Sequence, residues 1–219
     1  MTSAMTPNDP TPTDPSPALS RPAAIILCGG LSRRMGRPKA WLPFGPEVLL
    51  QRIVRLIGEA TDQVVVVAAE GQDLPPLPGS VLVARDPAPD RGPLQGIAAG
   101  MDALPSDADL VFVSGTDTPF VEPAWIGLLA ELIGDADLAI PEVDGFLQPL
   151  AALYRRSGVR PSIEGQLSSN RRSPSSLVGV VRSRVVRPEE LAAADPSLAT
   201  LWNLNTPEDY RAALAEAGF

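Results

Sequence analysis

The chain has 219 residues, 44% of them hydrophobic, enough to fill one ordinary core, and its 26 acidic against 18 basic residues leave a formal net charge of −8. That acidic balance disfavours non-specific nucleic-acid binding, and no apolar stretch approaches the roughly 18 residues of a membrane span. Histidine is absent and cysteine occurs once, at Cys28, which excludes Ser–His–Asp triads, His-ligated zinc or iron, internal disulfides and CxxC sites.

Residues 1–22 hold Pro7, Pro10, Pro12, Pro15, Pro17 and Pro22 among small polar residues, the composition of a disordered tail. The tail lacks the basic start and apolar run of a signal peptide, so a cytoplasmic protein is expected. One ordered domain is expected over residues 23–219. Ala23 to Cys28 is continuously apolar, as in a parallel strand covered on both faces. A polar, basic loop follows from Leu31 to Gly45. Val48, Leu49, Ile53, Val54, Leu56 and Ile57 recur at helical spacing and predict a helix over 47–60.

The alternation then repeats. Strands are predicted at Gln63–Ala68, Val81–Val83 and Leu110–Val113, with a weaker one at Leu138–Ile140. Helices are predicted at Leu94–Leu104, entered through Gly92-Pro93, and at Glu122–Ile133, with Pro123 in the first turn. Strands alternating with amphipathic helices imply a three-layer α/β/α, Rossmann-like domain with a mostly parallel sheet. Beyond residue 145 a strand is predicted over 148–154, a helix over 158–167 and a ligand-facing loop over 168–176. Leu177–Val186 reads as extended and Pro188–Ala193 as a short helix. Thr206-Pro207-Glu208-Asp209 marks the start of a last helix, with Thr206 as N-cap and Asp209 three residues on.

The stretch from Leu27 to Lys39 is the richest in chemistry. It leaves the carboxyl end of the first strand, where open α/β sheets bind ligands. Its glycines allow close backbone approach, and exposed backbone N–H groups can cradle phosphate oxygens. Arg33, Arg34, Arg37 and Lys39 add four cations to an acidic chain, and Lys39 is the only lysine present. The pattern is neither a Walker A loop nor G-x-G-x-x-G, so a dinucleotide oxidoreductase is disfavoured. A polyphosphate or nucleotide site is the functional reading; a plain turn with surface arginines is the structural one.

Leu27, Gly29, Gly30, Ser32, Arg34, Met35, Gly36 and Lys39 match L-x-G-G-x-S-x-R-M-G-x-x-K. The chain here resembles the molybdenum cofactor guanylyltransferases and the wider group of nucleotidyltransferases that share their fold. Collinear blocks extend the resemblance: Arg91 to Ile97, Gly115 to Phe120, Gln148 to Arg156 and Asn203 to Asp209. Thr116 stands where cysteine is common in the family's C-D-x-P segment.

The resemblance implies a magnesium-dependent transfer of GMP from GTP to the phosphate of molybdopterin, with release of pyrophosphate. Lys39, Asp117 and Arg34 are the catalytic candidates. Leu27, Cys28, Gly29, Gly30, Ser32, Gly36, Lys39, Asp86 and Gly92 are the nucleotide-binding ones, with Asp90 a competitor of Asp86. Asp117 would hold Mg²⁺, a hard cation that keeps waters while bridging phosphates; its structural alternative is a turn or cap before Pro119. Asn203 and Asn205, two apart in an extended segment, could both reach one ligand. With Arg155 and Arg156 they form the expected acceptor site, and Arg171 and Arg172 are further candidates. The N–H groups of the helix after Gly92 could meet an anion. Cys28 reads as a buried strand-end residue rather than a nucleophile; Trp41, Trp125 and Trp202 read as packing residues. A cytidylyltransferase for the same cofactor and a nucleotidyltransferase acting on a sugar phosphate remain alternatives. So does a catalytically idle domain that delivers cofactor to a molybdoenzyme, the protein partner expected here.

Overall fold

Strands that are apolar on both faces need helices on both sides of their sheet, and the computed structural model, which describes residues 21–29, 38–88 and 91–219, supplies them. In chain order the elements begin with β1 (Ala23–Leu27), a short hairpin of β2 (Pro43–Phe44) and β3 (Glu47–Val48), and α1 (Leu49–Gly58). Next come β4 (Gln63–Ala69), β5 (Leu82–Asp86), α2 (Pro93–Ala103), β6 (Leu110–Gly115) and α3 (Pro123–Leu132). The second half holds β7 (Leu138–Val143), β8 (Phe146–Leu147), β9 (Ala151–Arg155), α4 (Arg156–Ser168), β10 (Ser183–Val186), α5 (Pro188–Leu191) and α6 (Pro207–Glu216).

The main sheet runs β10-β7-β9-β6-β1-β4-β5, and β8 pairs with β7 beyond this path. The β6–β1, β1–β4, β4–β5 and β7–β10 pairs are parallel. β9 is antiparallel to both β6 and β7, and β8 is antiparallel to β7, so these two strands reverse direction inside the sheet. The result is a mixed, mostly parallel sheet between two helical layers.

Alternation along β1 shows how the core divides. Ala24 and Ile26 join Phe112, Leu153 and the apolar sides of α1, α3 and α6. Ala23 and Ile25 join Val65, Val113, Ala152 and the apolar sides of α2 and α4. Trp125 and Tyr154 are fully buried and spend their polar atoms on backbone: Trp125 Nε1 donates to Ala151 O at 3.0 Å and Tyr154 Oη to Pro149 O at 2.8 Å.

Several boundaries differ from the sequence reading. The helix expected from residue 47 starts at Leu49, because Glu47–Val48 pairs with Pro43–Phe44. The third strand extends to Asp86, held by the Ala69–Asp86 register against β4. The strand expected over 148–154 begins only at Ala151, as β9, because the Gln148 N–H turns to Pro141 O at 2.8 Å and residues 149–150 form a turn; the two-residue β8 before it lies outside the expected span. The extended segment expected over 177–186 is a 3₁₀ turn at Pro174–Leu177 followed by β10. Among the described residues no helix is long and apolar enough to cross a membrane. The proposed tail lies outside the described residues up to Ser20.

Candidate functional site

Register carries several predicted residues to one edge. Leu27 lies opposite both Val67 and Gly115, and Ala69 opposite Asp86. Cys28–Gly29, Thr116–Asp117 and Asp86 therefore leave the sheet at its carboxyl edge. Gly30, Ser32, Arg34 and Gly36, with Arg33, Arg37 and Asp90, lie outside the described residues.

Lys39 opens a 3₁₀ turn, Lys39–Trp41, immediately after Pro38. Its Nζ donates to Asp117 Oδ2 at 2.8 Å, and the two side chains are only 18% and 24% exposed. A charge-assisted bond in that half-buried setting is stronger than a surface pair. The Asp117 loop is braced from three sides. The Leu204 N–H donates to Asp117 O at 2.9 Å. Ser114 and Thr118 share a hydroxyl–hydroxyl bond at 3.1 Å. Arg52 Nε donates to Pro119 O at 2.7 Å while its guanidinium lies 4.8 Å from the Phe44 ring centre.

The bond from Leu204 brings the Asn-x-Asn element beside Asp117. Leu204 is buried, while Asn203 and Asn205 flank it on the exposed side, as alternation in an extended segment requires. Asn203 Nδ2 donates to Leu201 O at 2.9 Å, and the Asn205 N–H donates to Asp209 Oδ2 at 2.9 Å. The predicted cap is present: Thr206 Oγ1 accepts from Asp209 N, and Asp209 Oδ2 accepts from Thr206 N at 2.8 Å. Backbone donors from Asn205 and Thr206 hold the Asp209 carboxyl below its ordinary range, with a smaller contribution from the charge of Lys39.

Asp86 is buried at the end of β5, where Oδ1 accepts from the Ala88 N–H at 2.9 Å. Gly92 needs its hydrogen side chain: φ is +80° and a Cβ would sit 2.9 Å from Arg172 Cβ. That contact corrects one expectation. The first turn of α2 offers little to an anion, because Pro93 has no N–H, Leu94 N donates to Arg172 O at 3.2 Å and Gln95 N donates to Gly92 O at 3.2 Å. The Arg172 backbone, not a ligand, caps this helix, and Arg171 N bonds to Gln166 O at 2.9 Å in the same loop.

Cys28 is buried, and desolvation pushes its thiol up to about 11, against a smaller opposing effect of Gln72. The thiol is therefore un-ionised near neutrality, which fits a packing role and not a nucleophile. Gln72 went unnoticed in the sequence. Its Nε2 donates to Cys28 O and its Oε1 accepts from Ala69 N, both at 3.0 Å, tying the exits of β1 and β4 together. Arg52 went unnoticed too; an arginine on a helix face carries no motif, and only the fold shows its carbonyl partner. Trp125 packs in the core and Trp202 packs on Phe120, whereas Trp41 is 41% exposed with Nε1 bonded to Asp73 O.

Arg155 and Arg156 are not at this edge. Arg155 ends β9 opposite Leu110, the first residue of β6, so the antiparallel strand delivers both arginines to the amino edge. Arg155 donates to Ala136 O at 3.1 Å and Gly134 O at 2.7 Å, and Arg156 to Pro105 O at 2.8 Å. These guanidiniums fasten loops across the sheet from the predicted acceptor site.

As for a metal, Asp117 presents hard carboxylate oxygen at the edge where phosphates would lie. Among the described residues no group of three or more acidic, cysteine or histidine side chains gathers into a cage. A single carboxylate suits Mg²⁺ carried largely by waters and substrate phosphates, so the donor set fits that ion.

Comparison with known proteins agrees with this fold. The family model for the MobA-like NTP transferase domain matches residues 24–185. A molybdenum cofactor guanylyltransferase of Desulfosudis oleivorans is 33% identical over 87% of this chain and 93% of its own. A probable molybdenum cofactor guanylyltransferase of Mycobacterium avium is 35% identical over 89% and 95%. In three dimensions, the molybdopterin-guanine dinucleotide biosynthesis protein A of Archaeoglobus fulgidus superposes with a TM-score of 0.74 at 22% identity, covering 90% of this chain and 98% of that one. With the family model matched from β1 to β10 and the relatives covered over most of their length, the chain belongs to the MobA-like NTP transferase family and is a nucleotidyltransferase.

Proposed function

We propose that this enzyme transfers GMP from GTP to the terminal phosphate of molybdopterin and releases pyrophosphate. The observation that carries the reading is the Lys39–Asp117 pair, seated at the carboxyl edge beside Asn203 and Asn205. The names of the relatives supply the choice of guanylyl donor and pterin acceptor. In the reaction an acceptor phosphate oxygen forms a bond to the α-phosphorus of GTP, and the bond to the pyrophosphate leaving group breaks. An ionised phosphate needs no strong general base, which accords with a chain that has no histidine.

Positioning and charge neutralisation then carry the catalysis. Lys39 would orient the Asp117 carboxylate and offset negative charge on the phosphates. Magnesium held by Asp117 and the phosphates would supply further neutralisation at the α-phosphate. The backbone at Cys28–Gly29, clamped by Gln72, would set the path of the loop that cradles the nucleotide. Asn203 and Asn205 would receive the acceptor phosphate. Gly30, Ser32, Arg34 and Gly36 belong to the same proposal, as does an ordered domain spanning residues 23–219.

Purified protein with magnesium and molybdopterin should release pyrophosphate with GTP and not with CTP, ATP or UTP, with a product mass gain equal to GMP. Turnover with CTP alone would move the enzyme to cytidylyl transfer. Nucleotide binding without pyrophosphate release would remove the catalytic reading.

A further inference from the structure

β8 continues the line of β9 past the carboxyl edge of the sheet. β7 pairs antiparallel with both, placing Leu138 opposite Tyr154 of β9 and Val143 opposite Phe146 of β8. β6 flanks β9 on its other side, with Val111 also opposite Tyr154. Leu138 and Val111 thus stand at one level. Counting up both strands brings Val143, and with it Phe146, level with Thr116, next to Asp117. The lateral offset from the line of β6 is about one strand spacing, ~5 Å.

The hairpin that carries Phe146 is fixed. Asp144 and Gly145 take φ of +52° and +78°, the tight two-residue turn that matches strand twist. Gln148 fastens its base, donating from N to Pro141 O at 2.8 Å and from Nε2 to Phe146 O at 3.2 Å. Leu147 packs into the core on the α2 and α4 side. Phe146, its neighbour in the strand, faces the other way, toward the side of the sheet where Leu204 packs beneath Asp117. It is 72% exposed, the most exposed large hydrophobic side chain among the described residues.

We infer that Phe146 is the platform on which the aromatic ring of the phosphorylated acceptor stacks. This rests on the acceptor reading above. An acceptor whose phosphate reacts beside Asp117 must extend its ring system away from that point, and β8 is the rim that meets it there. A flat heteroaromatic ring and an apolar ring held in water gain from covering one another. Phe146 touches the acceptor's ring and not its reacting atoms, so it governs acceptor binding and selectivity.

The test is steady-state kinetics of the wild type, Phe146→Ala and Phe146→Tyr, with GTP and molybdopterin varied in turn. Phe146 lies on the surface, so its replacement spares the fold. Phe146→Ala should raise KM for molybdopterin about 10-fold, leaving kcat and KM for GTP within about twofold of wild type. Phe146→Tyr should restore the wild-type acceptor KM. An unchanged acceptor KM in Phe146→Ala, from an enzyme whose wild type turns over, overturns this inference alone and turns attention to a protein that docks on the rim. A wild type with no turnover on molybdopterin overturns the acceptor reading and this inference together.

Discussion

The two edges of the sheet both carry pairs of aspartate and cation, yet they are built for different ends. At the amino edge Arg155 ties Asp109 to the carbonyls of Ala136 and Gly134, and Asp137 takes two bonds from the Arg182 guanidinium and one from its backbone. There Arg155 answers two backbone carbonyls and Asp137 answers the Arg182 N–H as well as its guanidinium, so the cluster serves as a knot. At the carboxyl edge Lys39 and Asp117 meet side chain to side chain, from two loops whose own backbones are braced elsewhere. A lysine and a carboxylate that meet side chain to side chain at that edge form a charge pair that a ligand can use.

The sharpest way to break this contrast is to remove charge at each edge. Lys39→Ala and Asp117→Ala should each lower turnover at least about tenfold, a loss of about 1.4 kcal/mol or more in transition-state stabilisation, with little change in melting temperature. Near-wild-type kcat/KM in either variant would take that residue out of the mechanism. Arg155→Ala should do the reverse: kcat/KM unchanged, and stability to urea lowered by about 1–3 kcal/mol as two carbonyls lose a charged donor. A selective loss of acceptor affinity there would restore Arg155 to the site.

Acid sharpens the contrast further, with a smaller effect. Hydrogen bonds from Arg182 hold the Asp137 carboxyl below its ordinary value of 3.8. A depressed carboxylate lends stability above its unfolded pKa and loses it as pH falls through the folded one. The melting-temperature gap between wild type and Asp137→Asn should therefore be widest near neutrality and close below about pH 4. A gap that stays constant into acid would mean that the ionised carboxylate is not what the knot uses.

Sequence patterns read well wherever the cause is local. The apolar run from Ala23, the Thr206 cap and the aspartate just beyond β6 all follow from neighbours along the chain, and all lie where expected. Arg155 and Arg156 show the limit. They come at the end of an apolar strand much as Asp117 does, but the proposed site lies at the carboxyl ends of parallel strands and β9 runs the other way. Its start, Ala151, lies opposite Ser114 near the carboxyl edge, and its end, Arg155, opposite Leu110 at the amino edge. Strand direction depends on which partner a strand finds, and a short apolar run does not encode that. Gln72 was hidden for a related reason: its amide bonds two backbone groups that only the β1–β4 pairing brings together.

The reversed strand also orders events during synthesis. β7 leaves the ribosome before β9, yet in the finished sheet β9 stands between β7 and β6. Until residues 151–155 emerge and insert, the apolar segment Leu138–Ile140 has no route to the strands already made. The nascent chain must carry an uncovered, adhesive strand through that interval, which makes it the stage at which chaperones would be most needed.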